Sequence, residues 1–284
     1  MIRVADEVRE ARAVVALETT IVAHGFPPGE GVAVGLECER RVREAGAVPA
    51  TIGVLDGEIR LGLTEAELER FDSSARKAGP RDLAACVARR EVGATTVGGT
   101  LAVCRAAGIR FIGTGGIGGV HRGGHLDVSA DLAELARSPV AVVSAGVKSL
   151  LDVAATAELL ETLGVLVLGW RTATMPRFYD AAGGPPVAER VESAADAVRL
   201  ARLHWELVGA GVVLARPPDT SLDADELIDE ALLEAERQGV AGQAVTPFVL
   251  ARIHERSGGQ TLEANRELAA ANAGLAAELA LAAA

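Results

Sequence analysis

The stretch PVAVVSAGVKSLLDVAATAELLETLG, residues 139–164, decides how the chain folds. Its first eight residues, 139–146, are small or β-branched and carry no charge, the composition of a strand buried on both faces. From Lys148 onward the apolar residues recur at helical spacing until Gly164 stops them. A buried strand feeding a helix is the repeating unit of an α/β protein.

The same alternation continues in both directions. AVVAL (13–17) reads as a strand and GVAVGLECERRVREAG (31–46) as a helix. PATIGVLDGEIRLGL (49–63) places Asp56-Gly57 between alternating apolar residues, a hairpin signal. TEAELERF (64–71) opens a helix with a capping-box pattern, Thr64 and Glu67. VLVLGW (165–170) and GVVLARPP (211–218) are strands, and only helices follow: 221–239, 246–257 and about 261–282. YDAAGGPPVAER (179–190) is the one loop excursion. With no internal repeat and no long linker, the 284 residues are expected to form one α/β/α domain. It is a mixed sheet sandwiched between helices, with a helical C-terminal segment.

Composition narrows the function. The chain is 49% hydrophobic but 3% aromatic, so aliphatic side chains do the packing. A net charge of −11 argues against a nucleic-acid groove or an anionic membrane surface, and leaves a small-molecule ligand. No 18-residue apolar run is present, so no membrane span is expected. Cys38, Cys86 and Cys104 are odd in number and share no CxxC spacing, which suits reduced core thiols in a cytoplasm.

Within the opening stretch, Lys148 raises a chemical question. Of 28 basic residues only Lys77 and Lys148 are lysines; the rest are arginines. Arginine stays protonated, whereas a desolvated lysine can lose its proton and attack carbon. Either the two lysines are survivors of codon drift, or at least one is a nucleophile. The apolar run before Lys148 favours an unprotonated amine there.

Other polar residues punctuate the strand ends. ALETTIVAHG (16–25) ends a strand on Glu18, where open α/β sheets bind ligands. Burial there would make it a general acid; exposure would make it an ordinary strand-end residue. Lys77, followed by AGPRDL (78–83), lies with Arg81 in a segment too rich in small residues for a core, where both could face an anion. Asn265 and Asn272 each interrupt a helix at some cost in propensity, so each is exposed or bonded.

FIGTGGIGGVHRGGHLDVSADL (111–132) is the densest unusual segment. Gly113, Gly115 and Gly118 match G-x-G-x-x-G, but no helix opens after them, as a dinucleotide site requires. A glycine loop without that helix still exposes backbone N–H groups and admits a phosphate or sugar closely. Tight packing explains it too. His121, His125, Asp127 and Asp131 could hold a divalent cation, magnesium or manganese rather than zinc. Surface histidines and a helix N-cap at Asp131 are the alternative.

Taken together, VVALETTIVAHGFP, GAVPATIGVLDGEIRLGL, GATTVGGT, FIGTGGIGGVHRGG, DVSADLAEL, VVSAGVKSLLD, TPFVLARI and TLEANRELAAANA resemble the blocks of the pseudouridine-5'-phosphate glycosidases. They occur in that family's order and near its spacing, from about residue 13 to 280. The resemblance implies reversible cleavage of the C–C glycosidic bond of pseudouridine 5'-phosphate to uracil and ribose 5-phosphate. It makes Lys148 the nucleophile that forms an imine, Glu18 the proton donor, and Asn265 the active-site asparagine. It assigns Lys77 to the substrate phosphate, and Val97, Ser129, Ala130 and Asp131 to substrate contacts. It gives Asp127 to a metal, Mn2+, one per subunit, and implies a homotrimer.

The chain departs from the family pattern at four places. Thr19 replaces a serine, KAGPRDL lacks the serine of the lysine block, Arg216 stands where asparagine is usual, and 179–186 lacks an arginine. Base or sugar recognition is where such changes would act. The alternatives are an aldolase-like imine-forming lyase on another sugar phosphate and a non-catalytic nucleotide-binding protein.

Overall fold

The computed structural model describes residues 1–122, 127–240 and 245–284. The strands are β1 (Ile2–Val4), β2 (Val14–Glu18), β3 (Val48–Leu55), β4 (Glu58–Leu61), β5 (Arg76–Ala78), β6 (Gly93–Thr95), β7 (Phe111–Gly113), β8 (Val120–His121), β9 (Ala141–Ser144), β10 (Leu151–Asp152), β11 (Leu166–Trp170), β12 (Glu189–Val191) and β13 (Val212–Ala215). The helices are α1 (Asp6–Glu10), α2 (Thr20–His24), α3 (Gly31–Glu44), α4 (Glu65–Leu68), α5 (Leu83–Arg89), α6 (Val97–Ala107), α7 (Ala130–Leu135), α8 (Val153–Thr162), α9 (Ala194–Leu207), α10 (Asp225–Arg237), α11 (Val245–Arg256) and α12 (Gln260–Ala283).

The main sheet runs β1-β4-β3-β2-β7-β9-β13-β11-β12, with β6 branching from β3 and β5 from β6. From β3 to β12 every neighbour is parallel, while β4 and β6 lie antiparallel to β3. The sheet is therefore mixed, with a parallel centre, as the sequence leads one to expect. The β3–β4 hairpin turns at Asp56 (φ 55°) and Gly57 (φ 85°), both left-handed as a tight two-residue turn demands. The α4 capping box is formed: Thr64 accepts from the Glu67 N–H, and Glu67 accepts from the Thr64 N–H.

Successive residues of each central strand serve opposite faces. Val15, Leu17, Phe111, Ala141, Val143 and Leu214 pack with α3, α9 and α12. Ala16, Ile112, Val142 and Val213 pack with α6, α7, α8 and α10 on the other side. The alanine-rich α12 lies so close that a Cβ at Gly113 would come within 2.6 Å of the Ala273 Cα. The tail is thus a buried covering helix, and its alanines are what allow the approach. Cys38, Cys86 and Cys104 are free and buried; burial pushes the Cys38 thiol up to about 12, so it packs as a small apolar group. Among the described residues no helix is long and apolar enough to cross a membrane.

Two boundaries differ from the sequence reading. The helix expected from Lys148 begins at Val153 instead, capped by the Asp152 side chain, which accepts from Ala155 N–H at 2.9 Å. The Lys148 N–H bonds the Ile117 carbonyl, and Leu151 pairs with His121 across the β8–β10 ribbon, so residues 148–150 form a strand-end loop. The cap of α7 is Ser129, not Asp131: its hydroxyl accepts from the Asp131 N–H at 3.2 Å. The Asp131 carboxylate is used elsewhere.

Candidate active site

A cleft of about 610 Å³, part of it open to solvent, lies at the carboxyl ends of β2, β7 and β9. That is where an open parallel sheet leaves a crevice. Its titratable lining residues are Glu18, His24, Lys77 and Lys148 among the described residues. Both lysines of the chain face this one cleft.

Glu18 is the last residue of β2 and is 5% exposed. The Thr114 hydroxyl, just past the neighbouring β7, donates to its Oε1 at 2.5 Å. Burial pushes the Glu18 carboxyl above its ordinary range, against the opposing pull of the Lys148 ammonium and the Thr114 hydroxyl. A carboxyl held protonated in this way can donate a proton near neutral pH. The adjacent Thr19 and Thr20 face inward: Thr19 donates to the Ile52 carbonyl at 2.8 Å and Thr20 to the Thr95 carbonyl at 2.7 Å. The serine-to-threonine departure therefore keeps its hydroxyl in a buried backbone clamp.

Lys148 sits two residues beyond Gly146, whose φ of 77° turns the chain out of β9. A side chain at Gly146 would be strained and would come within 2.6 Å of the Pro176 carbonyl. Arg122 braces the loop, donating to the Ser149 carbonyl at 2.9 Å, to the Leu151 carbonyl at 3.3 Å and to Asp229 at 2.7 Å.

Lys77 lies in β5, and burial, with Lys148 nearby, lowers its pKa. Arg81, expected beside it, is 84% exposed in its side chain, reaches only Asp82, at 4.0 Å, among the described residues, and does not line the cleft. The N–H groups of Gly115 and Gly116 donate to nothing among the described residues, and both glycines line the cleft. They are backbone donors of the kind the glycine loop was expected to offer.

The two asparagines separate. Asn265 is 5% exposed, lines the cleft, and its side chain makes no hydrogen bond among the described residues. Asn272 is fully buried and donates to the Thr114 carbonyl at 2.8 Å, holding the loop that carries the Glu18 partner.

Val97, Ser129, Ala130, Asp131 and Asp127 do not line the cleft. Val97 is 1% exposed and opens α6, so only its main chain could be offered; Ala130 is exposed. Asp131 ties two segments together, accepting from Gly98 N–H at 2.7 Å and Gly118 N–H at 2.9 Å. Its negative charge acts on both Glu18 and Lys77. Asp127 is exposed, with its carboxylate 3.9 Å from His121 Nδ1. No three His, Cys, Asp or Glu side chains gather into a metal cage among the described residues, and His125 lies outside them. One carboxylate and one imidazole fit only a largely hydrated cation.

Residues that the sequence did not single out complete the cleft. Thr114 has a signal, a hydroxyl at a strand end before two glycines, but its partner is 96 residues away. Phe178 holds a left-handed φ of 63°, rare for a bulky residue. Its N–H bonds the Ala145 carbonyl, and its ring packs where Gly116 has no side chain. Ser149, Leu150, Pro247 and Leu250 add an apolar wall with one hydroxyl. Arg216 points elsewhere, chelated by Asp219 at 2.6 and 2.7 Å.

Comparison with known proteins agrees with this architecture. The profile of the family described as "Indigoidine synthase A like protein" matches residues 3–282. The chain is 46% identical to the pseudouridine-5'-phosphate glycosidase of Geobacillus kaustophilus, over 97% of this chain and 96% of that one. It is 48% identical to the protein of the same name from Cupriavidus pinatubonensis, covering 95% and 90%. The crystal structure of an indigoidine synthase A-like protein from Thermotoga maritima superposes with a TM-score of 0.90 at 36% identity, covering 99% and 95%. The prealnumycin C-glycosynthase in complex with ribulose 5-phosphate superposes with a TM-score of 0.89 at 38% identity, covering 100% and 97%. On matches of this extent, the chain belongs to the indigoidine synthase A-like family and, within it, to the pseudouridine-5'-phosphate glycosidases.

Proposed function

We propose that this enzyme reversibly cleaves the C–C glycosidic bond of pseudouridine 5'-phosphate, yielding uracil and ribose 5-phosphate, through an imine on Lys148. The observation that carries the reading is the convergence of both lysines and a buried, protonation-prone Glu18 on one cleft. The names of the relatives and the C-glycoside chemistry of the structural neighbour support it.

A carbon leaving group departs only if a proton is supplied at the carbon that is released. Lys148 Nζ bonds to the anomeric carbon, and the ring oxygen leaves with its electron pair and takes the proton that the nitrogen sheds. The nitrogen lone pair then forms C=N while the bond to uracil C5 breaks. That electron pair goes to the uracil ring, and Glu18 supplies the proton at C5. Water hydrolyses the iminium to ribose 5-phosphate and the free amine, and the released proton restores Glu18. Thr114 orients the acid, while Asn265 presents its amide to the sugar.

In this reading Lys77 binds the phosphate. The main chain at Val97, and Ser129, Ala130 and Asp131, act at the edge of the substrate or by shaping the glycine loop. A manganese ion held by Asp127 and mostly by water would orient phosphate and solvent, and no bond-breaking step depends on it. The proposal includes a homotrimer; Leu203, Leu207 and Val208, on and just past α9, leave apolar surface that association of copies would cover, Leu207 being 83% exposed. Light scattering tests that assembly, and dialysis against EDTA followed by manganese add-back tests the metal.

The central test is borohydride reduction with ribose 5-phosphate. One sugar phosphate should attach at Lys148 and none in Lys148→Ala, which should keep its fold but form no C-linked product from uracil. A label on any other residue overturns the nucleophile. Label without uracil exchange would favour a lyase acting on another sugar phosphate.

A further inference from the structure

The cleft has too little fixed positive charge for the phosphomonoester it is proposed to hold. The chain has 26 arginines, 28 basic residues less two lysines, and none of them lines the cleft. Lys148 must be a neutral amine when it attacks. Among the described side chains lining the cleft, Lys77 is then the one fixed cation to face a dianion. Among the described residues, the remaining lining residue able to become a cation is His24, in the last turn of α2.

The geometry of His24 defines which atom would titrate. Its Nε2 lies 3.1 Å from the Ala75 carbonyl. A carbonyl oxygen only accepts, so Nε2 carries the hydrogen and Nδ1 is the free nitrogen. Nδ1 bonds nothing among the described residues, and the ring lines the cleft. The ring is half-buried and bonded to Ala75, two residues before Lys77, whose charge acts on it.

We propose that His24 is a proton-linked phosphate ligand, neutral in the free enzyme and protonated at Nδ1 when the sugar phosphate enters beside Lys77. The charged groups around it bear this out. Burial lowers the pKa of His24, and Lys77 lowers it further, against the Ala75 carbonyl and Asp72, which raise it. Glu18 and Lys148 are the other titratable groups lining the cleft among the described residues. A phosphate dianion placed between Lys77 and His24 reverses the balance, because an opposite charge at hydrogen-bond range favours the protonated ring. The inference rests on Lys77 marking the phosphate end.

The five histidines make an NMR titration readable. The imidazole resonance missing from His24→Gln should titrate below the ordinary histidine value in the free wild-type protein. With saturating ribose 5-phosphate its midpoint should rise by about one unit or more. Should His24→Gln not fold, variants at the other histidines assign the resonance by elimination. In synthesis at neutral pH, His24→Gln should raise the KM for ribose 5-phosphate about tenfold while kcat stays within about twofold. The two proteins' KM values should converge at alkaline pH, where the wild-type ring is neutral in both states. A His24 midpoint that ignores bound ribose 5-phosphate, or an unchanged KM in the variant, overturns the proposal. If Lys77→Met abolishes ribose 5-phosphate binding while the His24 midpoint is indifferent to it in the wild type, the histidine role fails and the phosphate reading stands. If the wild type does not bind ribose 5-phosphate, both fail.

Discussion

The Thr114 hydroxyl donates to Glu18 Oε1 at 2.5 Å, joining the ends of two adjacent parallel strands inside a site where Glu18 is 5% exposed. Asn272 fixes the Thr114 carbonyl from the covering helix. The proposed acid is thus aimed by a hydroxyl that is itself held by backbone pairing and by α12.

Thr114→Val should keep the fold and lower kcat by roughly 10- to 100-fold, part of what a positioned general acid contributes. The hydrogen bond lowers the Glu18 pKa, so its loss raises it. Activity that needs protonated Glu18 fades as pH rises through that pKa, so the alkaline limb of the kcat profile should move to higher pH. A limb that moves to lower pH contradicts the role given to Thr114.

Asp131→Asn tests the loop anchor. The carboxylate accepts from both Gly98 and Gly118 N–H groups, and an amide nitrogen facing either would confront donor with donor. Loss of stability of about 1–3 kcal/mol is expected, the cost of leaving a buried group unmatched. Urea unfolding measures it, and an unchanged midpoint would show that the loop holds itself.

Gly113→Ala should destabilise by about 1–3 kcal/mol, because its Cβ would press on the α12 backbone at Ala273. Ala273→Gly does not relieve the clash, which is with main-chain atoms. Thermal unfolding of the single and double variants decides whether α12 approaches β7 this closely.

Acid should weaken the fold partly through His254. It is buried, its Nδ1 lies 2.8 Å from the Thr261 hydroxyl, its Nε2 has no partner among the described residues, and burial lowers its pKa to about 4. The unfolded chain takes up a proton near pH 6.5 that the folded chain refuses until about 4. The stability from the neutral ring is whole above pH 6.5 and drains as pH falls toward 4, by roughly 3 kcal/mol at most. His254→Gln should flatten this slope in melting temperature between pH 6.5 and 4. An equally steep slope would assign the acid sensitivity to other groups.

Much of this was readable along the chain. Val140 to Val143 announce a strand buried on both faces, Asp56-Gly57 a hairpin, and Thr64 with Glu67 a helix start, because each depends on neighbours a few residues away. The two- and three-residue strands β5, β8, β10 and β12 were not readable, since a period needs more length to show itself. Leu151 looked helical for that reason, and its pairing with His121 comes from a segment 30 positions earlier. Lys148 stood out by rarity, and Glu18 by its place at a strand end. Thr114, His24 and Phe178 did not, since each matters only through a partner distant in sequence.

By itself, then, the sequence determined the order of the longer strands and helices, the mixed α/β class and the family, all properties of local pattern and of motifs in series. Only the tertiary structure decided that Glu18, Lys77, Lys148 and Asn265 line one cleft, that Asn272 and Asp131 brace its loops, and that Arg81 and Arg216 turn away from it. The physical reason is that parallel neighbours in the sheet come from remote segments. Which side chains meet at their carboxyl ends is therefore set by strand order and helix covering, not by spacing along the chain.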